Sequence, residues 1–582
     1  MTAASDPATS RRLPRWLAPT IRGYRRTWLT DDARAALILW TLLVPQALAY
    51  AQIAGMPPET GLYTALGAMA GYALLGASRH MNVGPEATVG LLSASVLAPI
   101  AANDPSRFLV LSAALAIMTG VMCLVLGLLR LGFLARLLSR PVLVGYLAGT
   151  GVTMIGSQLD KLLGLDLDAY DAPTIVGRLI DAWPDANLAS LAVGVAVIAS
   201  IVALRRWAPA IPAYLVAIVG ATAVTALLSL DTAQGVAVVG SFPSGLPAIG
   251  MPRVGVEVLG ELLVPAIGIA FLSFADSGIT ARALARRTHD HVDQDQHMLG
   301  MGAAGIAAGL AQGFAVNGSA SRSFAVVEAG GRSQLAGVMG IGLVALTLLV
   351  LAPLFASMPL AALGAVTIVV AVGLIDLREL ARIGRFERMD LALALATAAF
   401  VIWVGMLAGI LLVILLSLLD VARRSAVPNT AVLERVRGTD TYRRADPDTT
   451  EGVDQRVAVY RFDAPLFFAN VEVFAEEVER LATLGGRRAV LVNAEAITSM
   501  DSTAAQALDE LLDVLEGKGV TLAFARVKAP LRAALDRAGI TDRLGADHLY
   551  LEVDDGVDDL LGSSGSGDGA RVSGALESDP TR

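Results

Sequence analysis

Cysteine is almost missing: Cys123 is the single one, inside an apolar run, so no disulfide framework can form. Charge is scarce as well, 17% of 582 residues where a soluble domain carries about a quarter. The shortage is local. From about Ala33 to Val421 the apolar segments approach spanning length, whereas after Arg423 the chain reads as an ordinary soluble protein. Five histidines are scattered, and no nucleophile–base or metal-ligand constellation stands out, so neither catalysis nor a metal or other cofactor is expected. The net charge of −8, weighted to the C-terminal part, gives no basis for a nucleic-acid partner.

What is present is apolar length. A bilayer leaves no water to satisfy backbone groups, so these runs imply helices and a lipid surround. They lie near 33–54, 61–77, 85–101, 107–129, 139–159, 189–204, 212–230, 260–284, 297–312, 319–330, 335–356, 360–374, 389–405 and 406–422. The count is about fourteen. Arginine tests it, because cationic residues accumulate on cytoplasmic loops. Arg79, Arg130, Arg136, Arg205, Arg206, Arg286, Arg287, Arg378, Arg382, Arg385 and Arg388 fall in connections after even-numbered segments, and Arg140 and Arg282 stand at segment ends that border such connections. The connection from Asp160 to Asp185 is mostly acidic, and that from Leu230 to Glu257 holds only Arg253. Both termini are therefore expected on the cytoplasmic side of a cell inner (plasma) membrane. Residues 1–28, with Arg11, Arg12, Arg15, Arg22, Arg25 and Arg26, read as a basic cytosolic tail rather than a leader, since a full spanning segment follows them.

Two segments are short and begin badly for helices. His80-Met81-Asn82-Val83 leads into Gly84-Pro85-Glu86-Ala87-Thr88, with Pro85 suited to a first helical turn. Phe314-Ala315-Val316-Asn317 leads into Gly318-Ser319-Ala320-Ser321-Arg322-Ser323. These are the third and tenth segments, seven apart, as a seven-plus-seven inverted repeat with discontinuous helices requires. A helix that begins in mid-membrane presents unpaired N–H groups and about half a positive charge, and two facing ends make an anion site. Serine hydroxyls and Arg322 would add donors and a fixed cation. The competing reading is that Ser319 or Asn317 only caps a helix and Arg322 pairs with an internal acid.

Val44-Pro45-Gln46-Ala47-Leu48-Ala49-Tyr50-Ala51, Gly55-Met56-Pro57-Pro58-Glu59-Thr60-Gly61-Leu62-Tyr63, Gly76-Ala77-Ser78-Arg79, Gly84-Pro85-Glu86-Ala87 and Ser319–Ser323 together resemble the SulP anion transporters, a family of sulfate permeases and anion exchangers with a C-terminal STAS domain. The resemblance covers about residues 20–555. It implies a core bundle, segments one to four and eight to eleven, moving against a gate bundle made of the rest. It also implies a substrate site of Gln46, Tyr50, Pro85, Glu86, Ala87, Thr88, Ser319, Ala320, Ser321 and Arg322. Gln46 and Tyr50 read equally as helix-packing polar groups. Family members are commonly homodimers.

In the eighth segment, Phe271 to Arg282, Asp276 is an ionisable residue in an apolar stretch and thus a functional candidate by position. The leading expectation is that it loads a proton with the anion and releases it inside, which would make the chain a proton-coupled sulfate symporter. A permanent ion pair with Arg322 and a Na⁺ site, as in bicarbonate-carrying relatives, are the alternatives. A Na⁺-coupled bicarbonate or dicarboxylate carrier, or a passive anion channel, would follow from other choices. Glu86 is expected to compensate a helix dipole.

The domain plan is thus a tail (1–28), a transport domain (29–424), a linker (425–454), a STAS domain (455–557) and a disordered tail (558–582) rich in Ser, Gly and Asp. Strands are expected at Val457–Phe462, Leu466–Asn470, Ala489–Asn493 and Val520–Ala525, with helices at Val471–Ala482, Ala504–Glu516 and Lys528–Ala538, forming a mostly parallel α/β sheet. Pro465–Asn470 and Met500-Asp501-Ser502-Thr503 carry the STAS resemblance. In soluble relatives a hydroxyl in this loop is phosphorylated. Here Asp501 and Ser502 most simply cap the next helix, with Ser502 phosphorylation and a cytosolic STAS partner as open regulatory readings.

Overall fold

The computed structural model describes residues 24–102, 104–132, 139–165, 178, 182–208, 211–240, 243–436, 439–445, 456–484 and 486–562. Most of the expected N-terminal tail, part of the expected linker and the C-terminal tail from 563 lie outside the described residues. The chain divides into two compact units, Met1–Leu418 and Leu419–Arg582, each with its own core.

Every one of the fourteen apolar segments contains a helix. The first seven are α1 (Leu29–Ile53), α2 (Pro58–Leu75), α3 (Ala87–Ala101), α4 (Pro105–Leu128), α5 (Arg140–Gly156), α6 (Leu188–Trp207) and α7 (Ala213–Leu227). The second seven open with α8 (Val256–Thr288), α9 (Gln294–Leu310), α10 (Ala320–Glu328), α11 (Leu335–Leu346) and α12 (Leu360–Leu374). An amphipathic helix that the apolar pattern does not reveal, α13 (Leu377–Phe386), then precedes α14 (Arg388–Val404) and α15 (Met406–Ala426). Two-residue strands β1 (Val83–Gly84) and β2 (Asn317–Gly318) precede α3 and α10.

Leu188, Val202, Leu227, Val350, Trp403 and Leu395 stand exposed on the outer surface of this unit, as expected of groups solvated by lipid rather than water. Inside, helices approach through small residues. α9 packs lengthwise against α4 and α2, and α5 against α14 and α12. A Cβ added at Gly120 of α4 would lie 2.7 Å from the Gly302 carbonyl and 2.6 Å from the Ile306 nitrogen of α9, so only glycine permits that distance. Asp32, fully buried at the start of α1, accepts the Arg332 N–H at 2.7 Å and the Ser333 hydroxyl at 2.7 Å, tying α1 to the loop before α11.

In the second unit, β3 (Thr430–Arg435), β4 (Tyr442–Arg444), β5 (Val457–Phe462), β6 (Ala489–Asn493), β7 (Thr521–Ala525) and β8 (Leu549–Tyr550) form one sheet in the order β4-β3-β5-β6-β7-β8. β5 to β8 run parallel; β3 pairs antiparallel with both β4 and β5. Strand alternation decides the two faces. Ala458, Tyr460, Phe462, Val490, Val492, Leu522 and Phe524 pack under α16 (Val471–Thr483), α17 (Ser502–Gly517) and α18 (Ala529–Arg537). Val457, Val459, Leu491 and Ala523 face α19 (Val553–Leu560). Three expectations change here. Residues 425–454, read as a linker, carry β3 and β4, because Ala431 and Leu433 alternate inward onto the second face. Leu466–Asn470 is no strand: Leu466 makes a single bridge to Met500, and Asn470 closes a turn through the Phe467 N–H and the Pro465 carbonyl. The helix α19 also runs to Leu560, past the expected domain end.

Candidate functional site

The two interrupted segments meet. β1 and β2 pair antiparallel, Val83 opposite Gly318 and Gly84 opposite Asn317. Around them Ser319 N donates to the Asn82 carbonyl at 2.9 Å, and the Ser323 hydroxyl both receives the Asn82 N–H at 2.9 Å and donates to the Ser319 carbonyl at 2.6 Å. The backbone that leaves helix here is thus satisfied by its counterpart in the other repeat, which is the condition for irregular chain at membrane depth. Gly318 is required by space: a Cβ there would meet the Met81 methyl and lie 2.8 Å from Ser277.

Arg322 is the largest fully buried side chain of the site. Its Nε donates to Asn82 Oδ1 at 2.7 Å, Nη1 to Gln46 Oε1 at 3.2 Å and Nη2 to the Pro85 carbonyl at 3.0 Å. One guanidinium therefore binds α1 and the chain just before α3 from its seat in α10. All three acceptors are neutral, and among the described residues Arg322 forms no ion pair. Three bonds also leave two of the five guanidinium N–H groups unused. The Glu86 carboxylate acts on Arg322 through space without bonding to it; a buried cation with no direct ionic partner is costly and favours a visiting anion.

Asp276 of α8 is half-buried and receives a hydrogen bond from Asn317 Nδ2 at 2.8 Å; Asn317 in turn accepts the Gly318 N–H at 2.7 Å. Ser273, one turn earlier, donates to the Val316 carbonyl at 3.1 Å. α8 is thereby stitched to β2, and Asp276 and Arg322 are bonded to different asparagines, Asn317 and Asn82. The permanent Asp276–Arg322 pair is not formed.

The two helix ends differ. α3 begins at Ala87, two residues later than the proline pattern suggests, because the Glu86 carboxylate serves as its cap and accepts the N–H groups of Thr88 (2.9 Å) and Val89 (3.4 Å). Pro85 lies just outside, giving its carbonyl to Arg322. At α10 the cap is the Ser319 hydroxyl, 3.4 Å from Arg322 N and 3.2 Å from the Ser321 hydroxyl. The N–H groups of Ala320 and Ser321 have no protein acceptor among the described residues. Both residues are exposed. The α10 end is accordingly the one with donors open to an anion, and the α3 end holds a carboxylate of its own.

Of the other residues singled out, Gln46 is buried on Arg322, while Tyr50, Ala87 and Thr88 are buried around the start of α3. A Cβ at Gly90 would lie 3.3 Å from the Tyr50 carbonyl, so α1 and α3 are in close contact there. Asn82 is the participant that motif reading passed over, and Asn317, read there as a possible helix cap, instead bonds Asp276 and the Gly318 N–H while Ser319 caps α10. Their signal was position: each is the polar residue directly before the break. In the second unit Asp501 alone caps α17, accepting the Ala504 N–H at 2.8 Å and the Phe468 N–H at 3.0 Å. Ser502 is the first helical residue and is exposed, not a cap.

A family model described as the sulfate permease family matches residues 29–397, and a STAS domain model matches 448–556. A probable sulfate transporter of Mycobacterium tuberculosis is 41% identical over 534 residues, spanning 91% of this chain and 95% of its own length. The chloroplastic sulfate transporter 4.1 of Arabidopsis thaliana is 27% identical over 563 residues, covering 92% of this chain and 81% of the relative. Among solved structures, that of SLC26A9 superposes with a TM-score of 0.86 at 22% identity, over 94% of this chain and 93% of the other. The transmembrane domain of a cyanobacterial bicarbonate transporter, BicA, superposes at 0.58 with 23% identity, over 68% of this chain and 98% of the other.

Proposed function

We propose that this chain, which belongs to the sulfate permease family of membrane transporters, carries a small oxyanion, sulfate foremost, inward together with a proton. The observation that carries the reading is the buried Arg322, whose three partners are neutral. An anion seated at the open N–H groups of Ala320 and Ser321 would supply the direct ionic partner that Arg322 lacks. The same place selects charge and size more than identity, since backbone donors and one arginine hold any compact oxyanion.

Asp276 is the proposed coupling group. It is bonded to Asn317 of β2, so in this reading the proton and anion sites are linked through Asn317-Gly318 and the start of α10. In this reading the core helices α1–α4 and α8–α11 move as a body against the remaining helices, with both termini cytoplasmic, in an inner membrane, and with two copies assembling as a homodimer. The high identity to a probable sulfate transporter along nearly the whole chain supports sulfate over the alternatives.

The test is radiolabelled sulfate uptake into proteoliposomes under an inward proton gradient, an inward Na⁺ gradient, or neither. Proton-driven accumulation is expected in the wild type, with Asp276→Asn abolishing the response to the gradient. Uptake driven only by Na⁺ would replace the proton by Na⁺ and bring bicarbonate forward as cargo. Downhill flux indifferent to both gradients would mean a passive anion pathway and sink the coupled mechanism.

A further inference from the structure

The helix α13 is unlike its neighbours. Leu380 and Ile383 are buried, whereas Arg378, Arg382 and Arg385 are exposed beside Phe386 (91% exposed), Leu377 (69%) and Met389 (74%). Fully hydrated phenylalanine and methionine next to arginines make a poor water-facing surface but an ordinary interfacial one. An amphipathic helix of this kind settles at the headgroup boundary, apolar side chains toward the acyl region and cations toward phosphate. Its place in the chain agrees, since it joins the spanning helices α12 and α14 on the side where arginines accumulate.

α13 also borders an open pocket of about 500 Å³ into which Arg140, Arg382 and Arg385 converge, with Phe386 at its wall. Glu379 and Asp390 line it too. Glu379 is already engaged, by Arg140 at 2.8 Å and Arg382 at 3.7 Å. Arg385 makes no ion pair among the described residues, and Arg378 and Arg388 flank the site, so the local balance is positive. The Arg140–Glu379 contact links the start of α5 to α13.

We propose that α13 and the start of α5 form a binding site for the phosphate headgroup of an anionic phospholipid. The phosphate lies against Arg385 and Arg382, and the acyl chains run past Phe386 and Met389. Charge complementarity and the adjoining apolar side chains favour a lipid over a soluble anion, which would leave Phe386 in water. The consequence is mechanical. α5, α12, α13 and α14 pack together, so a lipid clamped here fixes that bundle to one leaflet and gives the mobile helices a stationary partner. Binding does not depend on which anion is carried.

The full chain, reconstituted in vesicles of phosphatidylglycerol and phosphatidylcholine and then released for native mass spectrometry, should retain phosphatidylglycerol preferentially. The double variant R382Q/R385Q should lose that preference by about thirtyfold, from the usual surface attraction of two arginines. Both positions are exposed, so folding should be unaffected; if the double variant is not monodisperse, R385Q alone should still lose several-fold. Phe386→Ser, which keeps all charges, should weaken lipid retention while leaving any capture of inorganic phosphate unchanged. Equal retention of both lipids, or unchanged preference in the arginine variants, would overturn the site. So would displacement of the lipid by excess inorganic phosphate, which would make it a soluble-anion site, or covalent trapping of a protein segment by a photo-crosslinker at position 385.

Discussion

At the residue scale, the geometry of Arg322 explains why an arginine rather than a lysine stands there. Its three acceptors, on α1, before β1 and before α3, lie in three directions, and only the planar fork reaches all of them at 2.7 to 3.2 Å. An ammonium would keep the charge and lose at least one bond. Arg322→Lys is therefore expected to fold but to lower sulfate uptake about thirtyfold, the equivalent of about 2 kcal/mol for one charge-assisted hydrogen bond. Arg322→Ala should abolish uptake. Asn82→Ala, which removes the shortest of the three bonds without touching any charge, should fall between wild type and Arg322→Lys. Initial rates in proteoliposomes at matched protein incorporation give the order; a lysine variant as active as wild type would show that charge alone suffices. Motif reading pointed at Arg322, Gln46 and Pro85 but not at Asn82, because a single asparagine in a loop carries no periodicity or spacing to distinguish it. Only the pairing of the two repeats turns it into a ligand of the guanidinium.

Elements were legible wherever lipid imposes them. Fourteen apolar runs became helices because a spanning chain has no other way to satisfy its backbone, and the breaks before the third and tenth were readable as Gly, Pro and Asn interrupting those runs. Interfacial and solvated pieces were less legible. α13 escaped because its two buried leucine and isoleucine positions are diluted by arginines, and Leu466–Asn470 looked like a strand because its apolar residues line a turn. The seam between α4 and α9 shows what hydropathy cannot convey: it is set by which residues are small, not by how apolar they are. Gly120→Leu should force α9 away from α4 and destabilise the membrane unit by about 3 kcal/mol or more, an overpacking penalty. Gly342→Leu on α11, where a side chain meets nothing within 4 Å, adds comparable bulk and should shift stability by less than about 0.5 kcal/mol. Thermal challenge followed by size-exclusion chromatography compares the two; equal losses would mean that the seam is not tight.

At the scale of the whole molecule the chain is two units of different solvation, and their boundary was harder to read than their existence. The change in composition near Arg423 is plain in the sequence, yet the sheet starts at Thr430, inside a stretch that polar and acidic residues disguise as linker. β3 sits between β4 and β5, burying Ala431 and Leu433 and covering the hydrogen-bonding edge of β5. A fragment beginning at 455 would present that edge bare over the whole run Val457–Phe462, a template for edge-to-edge association. It would also lose the burial of Leu433, worth about 2 kcal/mol against a total of about 5–15 for a domain. A fragment spanning 427–562 should thus be a cooperative monomer by circular dichroism melting and light scattering, while 455–562 should aggregate or melt well below it. If the shorter fragment is equally stable and monomeric, β3 and β4 are an appendage and the domain closes without them. If the longer one alone folds, the soluble unit begins almost directly after the last spanning helix, and any movement passed between the units travels through a connection of a few residues rather than a loose tether.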